Sequence, residues 1–538
     1  LQDYPVAIIT HKFFKDSGSH RARKVLHRGR LQPRALSIID ERLEDVAVYD
    51  VQLSAAQKLR EVVQANAEHS EIVGPHMDAL VKFMHARSFG GRDLERPTDK
   101  REAWAVVDGL QWFGTAEAAA FVRSHSADPD VAAVFGFARA LSNGYAFIAR
   151  NDGDGKSTHY IGYEPNITID PGTVLLDATA DIDGVMQLCP WRQHKEAPKA
   201  RYDNLNVVSI APLTKMKLGT FLASARNRRA YTEWMVDTIK AHIKRGQRGL
   251  VVCKLLLVEN ENVPTWPAGD PRFDDKAAIA EKYAWDVEGR KLCVTHWGTG
   301  IGSNAWKDAD VVFLFDEFWI PRRTVIAIAQ GLLNHKATQG PLADMRGLNS
   351  RHSDVDRLWE GHLLRWLKQM TLRGKARDYD GHGFCGDQKL VCSADRMRLL
   401  TNFNRLFPGA KIEIVGPKPG AKRTHADALL DVLGRSGLPD VLTTRWIIQE
   451  MQAPSRFALK DVVTRADVRQ AMTSLGWRYV SRKGKAGSTF ERIGGSGAAL
   501  GAGAECGKTP KEDNRVFPTL GIQEAANDNG VDDESAAA

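Results

Sequence analysis

The sequence predicts an α/β protein: two parallel-sheet domains in series, the first incomplete, then a small helical module closed by a hairpin. Three observations point there. Short apolar runs rich in β-branched residues, such as Ser37-Ile-Ile-Asp40 and Gly249-Leu-Val-Val-Cys253, read as strands buried on both faces. Helical periodicities lie between and after them, and strand-helix alternation favours parallel sheets. Near residue 441 the pattern changes to short helical stretches followed by two strand-like runs.

In chain order, Val6-Ala-Ile-Ile-Thr10 and Ala35-Leu-Ser-Ile-Ile39 read as buried strands flanking a stretch rich in Lys, Arg and His. Residues from about 50 to 145 read as helices, with alanine-rich periodic segments at 116–124 and 131–141. Runs at 145–150 and 159–163 form a hairpin across a Gly/Asp-rich turn, so that about 50–165 is an insertion. Thr173-Val-Leu-Leu-Asp177-Ala-Thr179-Ala180 then returns to a buried strand. The second domain offers strands at 249–256, 291–295 and 310–315. Helices at 441–452, 457–463 and 464–475 precede strands at 477–480 and 488–493, which reads as a winged helix. The Gly-, Ala- and Asn-rich residues after Gly494 are expected to be disordered. The predicted domains are 1–195, 196–424, 425–493 and 494–538.

Composition narrows the class. With 538 residues, 43% of them hydrophobic, the chain can bury sizeable cores. Its net charge of +8 favours a polyanionic partner, although 74 basic against 66 acidic residues is a mild excess that solubility alone also explains. Six scattered cysteines are too sparse for a disulfide scaffold and suit a reducing, cytoplasmic setting. No apolar stretch approaches a membrane span, so no membrane partner is expected. Oligomeric state is not readable.

The chemistry concentrates in an ordered pair of segments. Ser37-Ile-Ile-Asp40-Glu41 ends a strand in two carboxylates, one placed to hold Mg²⁺ and one to orient an attacking water. Gln369-Met-Thr-Leu-Arg373-Gly-Lys-Ala-Arg377 carries cations able to neutralise a γ-phosphate. Between them, Asp177 and Thr179 end a later strand in groups whose hydrogen bonds can switch. Thr295-His-Trp-Gly-Thr-Gly-Ile-Gly302-Ser303-Asn304 has glycines that let amides approach a phosphate or ribose, and it reads equally as an ordinary inter-strand loop. No G-x-x-x-x-G-K-[ST] precedes Asp40, and Leu1 is not a start methionine, so the chain reads as a fragment lacking the phosphate loop.

With Thr10-His11, Asp40-Glu41, Asp177-Ala-Thr179-Ala180, the 295–304 segment continuing through Trp306-Lys-Asp-Ala-Asp310-Val-Val312, and Gln369–Arg377, the chain resembles superfamily-two DEAD/DEAH-type helicases over about residues 6–415. The resemblance implies two RecA-like domains and an ATP-dependent DNA helicase or translocase, with ATP and Mg²⁺ as cofactors and nucleic acid, DNA foremost, as partner. It implies that Asp40 holds Mg²⁺ and Glu41 positions water. Gly302, Ser303, Asn304 and Gln369 line the nucleotide, Arg373 or Arg377 supplies the arginine finger, Asp177 and Thr179 couple the sites, and Thr10 and His11 touch nucleic acid. The final motif departs from the family's Q-x-x-G-R-x-x-R, because the glycine follows Arg373 and the second arginine stands one position later.

Other readings compete. Gly153-Asp-Gly155-Lys156-Ser157 imitates a phosphate loop, and Phe313-Leu-Phe-Asp316-Glu317 imitates a second metal-binding strand. The former lies between alternating strands, where Asn-Asp-Gly-Asp-Gly is hairpin-turn chemistry. His382, Cys385 and Cys392 lack a fourth zinc ligand and read better as core. No Ser/His/Asp spacing picks out a triad. In the last module Val468, Met472 and Leu475 should face inward, leaving Arg465, Arg469 and Gln470 outward, with Thr464-x-x-Asp467 starting the helix. Arg482, Lys483 and Lys485 place charge where a wing meets phosphates, or where surface charge aids solubility. The alternative of another class is a non-catalytic DNA-binding protein with a vestigial helicase core.

Overall fold

The computed structural model describes residues 24–33, 36–40, 46–88, 101–104, 109–125, 128–150, 158–165, 173–177, 179–189, 192–193, 195, 200–214, 218–255, 257, 284–287, 290–298, 305–337, 353–415, 424–452, 456–482 and 487–493. These all belong to one unit, 1–493. The expected strand at 6–10, the turns at 151–157 and 483–486 and the tail after 493 lie outside the described residues.

A short hairpin, β1 (Lys24–His27) and β2 (Arg30–Pro33), opens the chain. Next, β3 (Ser37–Asp40) pairs in parallel with β8 (Thr173–Leu176) as a two-stranded sheet. Both were expected to be buried, but among the side chains described only Ile39 is; Ile38, Val174 and Leu176 are 61%, 43% and 51% exposed. Between them lies the insertion, an antiparallel sheet in the order β4 (Val46–Val51), β7 (Thr158–Pro165), β6 (Ala146–Arg150), β5 (Arg101–Trp104). It is covered by α1 (Leu53–Ala65), α2 (Ala67–Ile72), α3 (Gly74–Ser88), α4 (Ala116–Ser124) and α5 (Pro129–Ser142). The Asp128 cap and Pro129 in the first turn fix the start of α5.

The main sheet is doubly wound. Six strands run parallel in the order β12 (Arg290–His296), β10 (Arg248–Cys253), β13 (Val311–Leu314), β14 (Gln388–Cys392), β9 (Leu205–Ser209), β15 (Lys411–Ile414). The antiparallel β11 (Ala284–Val287) edges the sheet beside β12. Alternation along each strand assigns its side chains to two covering layers. Val207, Leu250, Val312, Leu314 and Leu390 pack beneath α9 (Ser353–Thr371) and α10 (Arg396–Leu406). Val208, Val251, Phe313, Phe315 and Val391 pack beneath α7 (Ala225–His242), which follows the short α6 (Leu218–Leu222).

The insertion was expected to belong to the first domain, yet it is packed on the second through α8 (Arg322–Leu332). Val46, Phe147 and Ile161 share a core with Val325, Ile326 and Ala329. A side chain at Gly331 would place its Cβ 2.4 Å from Val46, so only glycine allows this approach. Tyr163 donates to the His335 carbonyl at 2.8 Å, and Arg323 pairs with Asp50 at 2.7 Å.

The last module comprises α11 (His425–Leu433), β16 (Val441–Thr443), α12 (Thr444–Met451), α13 (Arg456–Thr464), α14 (Ala466–Ser474), β17 (Trp477–Val480) and β18 (Thr489–Arg492). Its antiparallel sheet runs β16-β18-β17, and β16 replaces the start of the expected helix at 441. Val468, Met472 and Leu475 are buried as expected. The expected helix start at Thr464 is not found: Thr464 closes α13, its hydroxyl donating to the Asp461 carbonyl, and Asp467 is paired with Arg465. α10 packs along α14, and Leu400 joins the module's core together with Ile414.

Candidate functional site

The parallel register of β3 with β8 sets Ser37 opposite Thr173 and Asp40 opposite Leu176, so the strands end at one edge. Asp40 and Asp177 therefore occupy neighbouring strand ends. Asp177 Oδ1 accepts from the Thr179 amide at 2.8 Å and from its hydroxyl at 2.6 Å, a turn made by an aspartate on its own backbone, with Thr179 buried. The following residues then dock beneath α9 and α10. Ile182 enters the core beneath α9 and α10, and Arg405 donates to the Asp181 carbonyl. Gly361 of α9 lies so close to Asp183 that a Cβ there would be 2.3 Å from its carbonyl group.

This docking brings the later half of α9 toward the paired strand ends. Lys368 is buried on that helix; burial lowers its pKa, against the attraction of Asp181 and Asp177. Gln369 follows, half-buried, its Oε1 making no hydrogen bond among the described residues. Arg373 is buried just beyond the helix. The turn carrying Arg377 is pinned to the amino edge of the main sheet. There the Lys375 amide donates to Ala309 O at 3.1 Å, Lys375 Nζ meets Asp310 at 2.5 Å, and the Ala376 amide donates to Gln388 Oε1 at 2.8 Å. Burial alone would raise the Asp310 pKa, but hydrogen bonds from Lys375 and the Arg248 amide bring it below the usual range.

The opposite, carboxyl edge of the main sheet receives the loop that leaves β12. Trp297 and Gly298 begin it, with the Trp297 indole donating to Phe315 O at 2.9 Å. Gly302, Ser303 and Asn304 lie outside the described residues. Trp297, at the start of that loop, shares the core beneath α9 with Met370 and Ala376 of the Gln369–Arg377 segment. Glu41, Thr10 and His11 also lie outside the described residues, and Asp40 is placed by its backbone register.

The competing Asp316-Glu317 pair ends β13 at the carboxyl edge, but both carboxylates are engaged. Asp316 Oδ2 is 3.3 Å from Lys254 Nζ, and Glu317 Oε1 is 2.5 Å from Arg398. Burial raises both acids' pKa values, and the cations partly reverse it. Among the described residues no cluster of three or more His, Cys, Asp or Glu side chains could hold a metal. Cys385 and Cys392 are buried in the core beneath α9, and burial pushes the Cys392 thiol up to about 12. The Gly153–Ser157 segment joins the antiparallel strands β6 and β7, whose register runs to Arg150 opposite Thr158.

In the last module Arg465, Arg469 and Arg482 are exposed, while Lys483 and Lys485 lie outside the described residues. Arg465 pairs with Asp467 at 2.5 Å, and Arg478 and Arg482 share Glu491 at 3.0 and 2.6 Å. No helix among the described residues is long and apolar enough to cross a membrane. Comparison with protein-family models, with curated proteins and with solved structures finds no match.

Proposed function

We propose that this chain carries the segments following the phosphate loop of a nucleotide-driven nucleic-acid motor of the superfamily-two helicase type, acting on DNA in the cytoplasm. The carrying observation is the parallel register that sets the end of the Asp40-Glu41 strand beside the end of the Asp177-Ala-Thr179 strand. Carboxylate oxygens at neighbouring strand ends are the donors a hard cation takes, so the residues fit Mg²⁺ with Asp40 as its ligand. When bound, Mg²⁺ neutralises phosphate charge. Glu41 orients the water, and Lys368, on the later half of α9, brings a cation within the field of Asp177 at the same edge. Asp177 and Thr179 couple the edge to α9 and α10, because the residues that follow them are docked there. In this reading the two α/β regions are RecA-like.

The last module supports a second reading. Its order of helix, strand, three helices and two strands supports the reading as a winged helix, and exposed Arg469 on α14 suits phosphate contact. A DNA-binding protein with a vestigial motor core would rest on this module alone. Nucleic-acid-stimulated ATP turnover by the full-length protein separates the two. Glu41→Gln is expected to abolish turnover while nucleotide binding persists, and undiminished turnover would remove Glu41 from the assignment. Salt-sensitive DNA binding with no turnover in the unmodified protein would favour the second reading.

A further inference from the structure

At the carboxyl edge of the main sheet, the residues just beyond Asp316-Glu317 present an aromatic surface that the nucleotide chemistry leaves unused. Trp319 is 43% exposed, although tryptophan is ordinarily well buried. Its ring lies 4.8 Å from that of Trp359 on α9, tilted by 57°. The Arg398 guanidinium sits 5.8 Å from the Trp319 ring centre and 5.4 Å from that of Trp359, anchored by its ion pair with Glu317. The Trp319 amide donates to the Glu317 carbonyl at 3.0 Å, so the turn itself is fixed.

Asp316 adopts φ 65°, a conformation that costs a non-glycine residue energy. It is held there by its amide, which donates to Ser393 Oγ at 2.9 Å, and by its ion pair with Lys254. Two ion pairs and one strained residue thus serve to aim an exposed indole. Its charged neighbours are mutually neutralised, Asp316 by Lys254 and Glu317 by Arg398, which leaves an uncharged, rigid π-face backed by a second indole. It stands at the edge where doubly wound sheets bind their ligands, beside β10 and β13, whose onward connections run in opposite directions across the sheet.

We infer that Trp319 is a stacking platform for an unpaired base of single-stranded nucleic acid, backed by Trp359 and held by Arg398. This rests on the nucleic-acid reading above and names the form of strand and the contact. A π-face accepts every base, so the contact is sequence-tolerant, and its loss by alanine substitution is worth about 1–3 kcal/mol per base, or roughly 5- to 150-fold in affinity.

The test compares a labelled oligothymidylate with an abasic strand of equal length, using the whole chain and its Trp319→Ala and Trp319→Phe variants. Trp319→Ala is expected to weaken oligothymidylate binding by roughly 5- to 150-fold and to leave the abasic strand unchanged, with Trp319→Phe recovering most of the loss. Equal affinity of Trp319→Ala and the unmodified chain for oligothymidylate overturns the platform while leaving the nucleic-acid reading intact. Equal losses on both strands overturn it too, since the defect is then not in base contact. Failure of the unmodified chain to bind either strand overturns the nucleic-acid reading and the platform with it. Near-ultraviolet circular dichroism of each variant checks that the fold is retained.

Discussion

The strands β3 and β8 and the strands β9 to β15 carry the same kind of apolar, β-branched sequence, yet they meet opposite environments. In the large sheet β9, β10, β13 and β14 alternate between a layer under α9 and α10 and a layer under α7, and Val312, Phe313 and Leu390 are fully buried. In the two-stranded sheet Ile39 is buried while Ile38, Val174 and Leu176 face outward. A parallel strand is buried because its crossover connections lay helices on both faces. Here the connection from β3 to β8 is a separate antiparallel unit that packs elsewhere, on α8. Strand sequence records the environment a segment is suited to, and the connection decides whether it is supplied.

The contrast can be broken by substitution. Phe313→Ala should destabilise the fold by about 3–5 kcal/mol in urea titration, since it opens a cavity in a sheet covered on both faces. A loss under about 1 kcal/mol would mean that this core relaxes around the cavity. Between the two sheets, Gly361→Ala should cost about 1–3 kcal/mol by forcing α9 off the Asp183 backbone. Hydrogen exchange should then rise at residues 179–184, and protection unchanged there would show that this contact does not hold the segment.

The pH response of Lys368 sharpens the same junction. Its folded pKa is lowered by burial, so between that value and the ordinary lysine value near 10.4 the unfolded chain binds the extra proton and stability rises with pH. Below the lowered value both states are charged and the cost of burial is fully felt. Lys368→Met should remove this rise in denaturation curves taken from neutral pH toward about pH 10, and an unchanged slope would place the lysine head in water. The smallest effect is expected at Ile38→Ser, within about 0.5 kcal/mol, because the side chain is 61% exposed. A cost near that of Phe313→Ala would show that the outer face of β3 is covered in solution.

Much of the main sheet was readable in advance. β10 and β13 carry uninterrupted apolar runs and β12 a shorter one, Leu292-Cys-Val294, and the inward face of α14 follows from the spacing of Val468 and Met472. β9 was missed because Asn206 interrupts it, and β14 and β15 because they are short and begin with lysine or glutamine. Local pattern carries no record of which neighbour a face meets, so neither the seat of the insertion on α8 nor that of α14 on α10 could be read. The paired ends of β3 and β8 were readable as separate motifs, while their register is a long-range fact. Trp319 escaped notice because the acids before it drew attention as an imitation of a metal site. The signal that could have found it was tryptophan beside a polar strand end.

Helix α10 connects regions that are otherwise far apart. At its first turn Arg396 pairs with buried Asp431 of the last module, Arg398 steadies Trp319 and Trp359, and at its far end Arg405 holds the Asp181 carbonyl. Leu399, Phe403 and Leu406 meanwhile fix it to the main sheet, and Leu400 faces α14. Eleven helical residues make a rod of about 16 Å that bends little. The Asp181 carbonyl, the aromatic pair and the buried Asp431 are thus all gripped by side chains of one short rod.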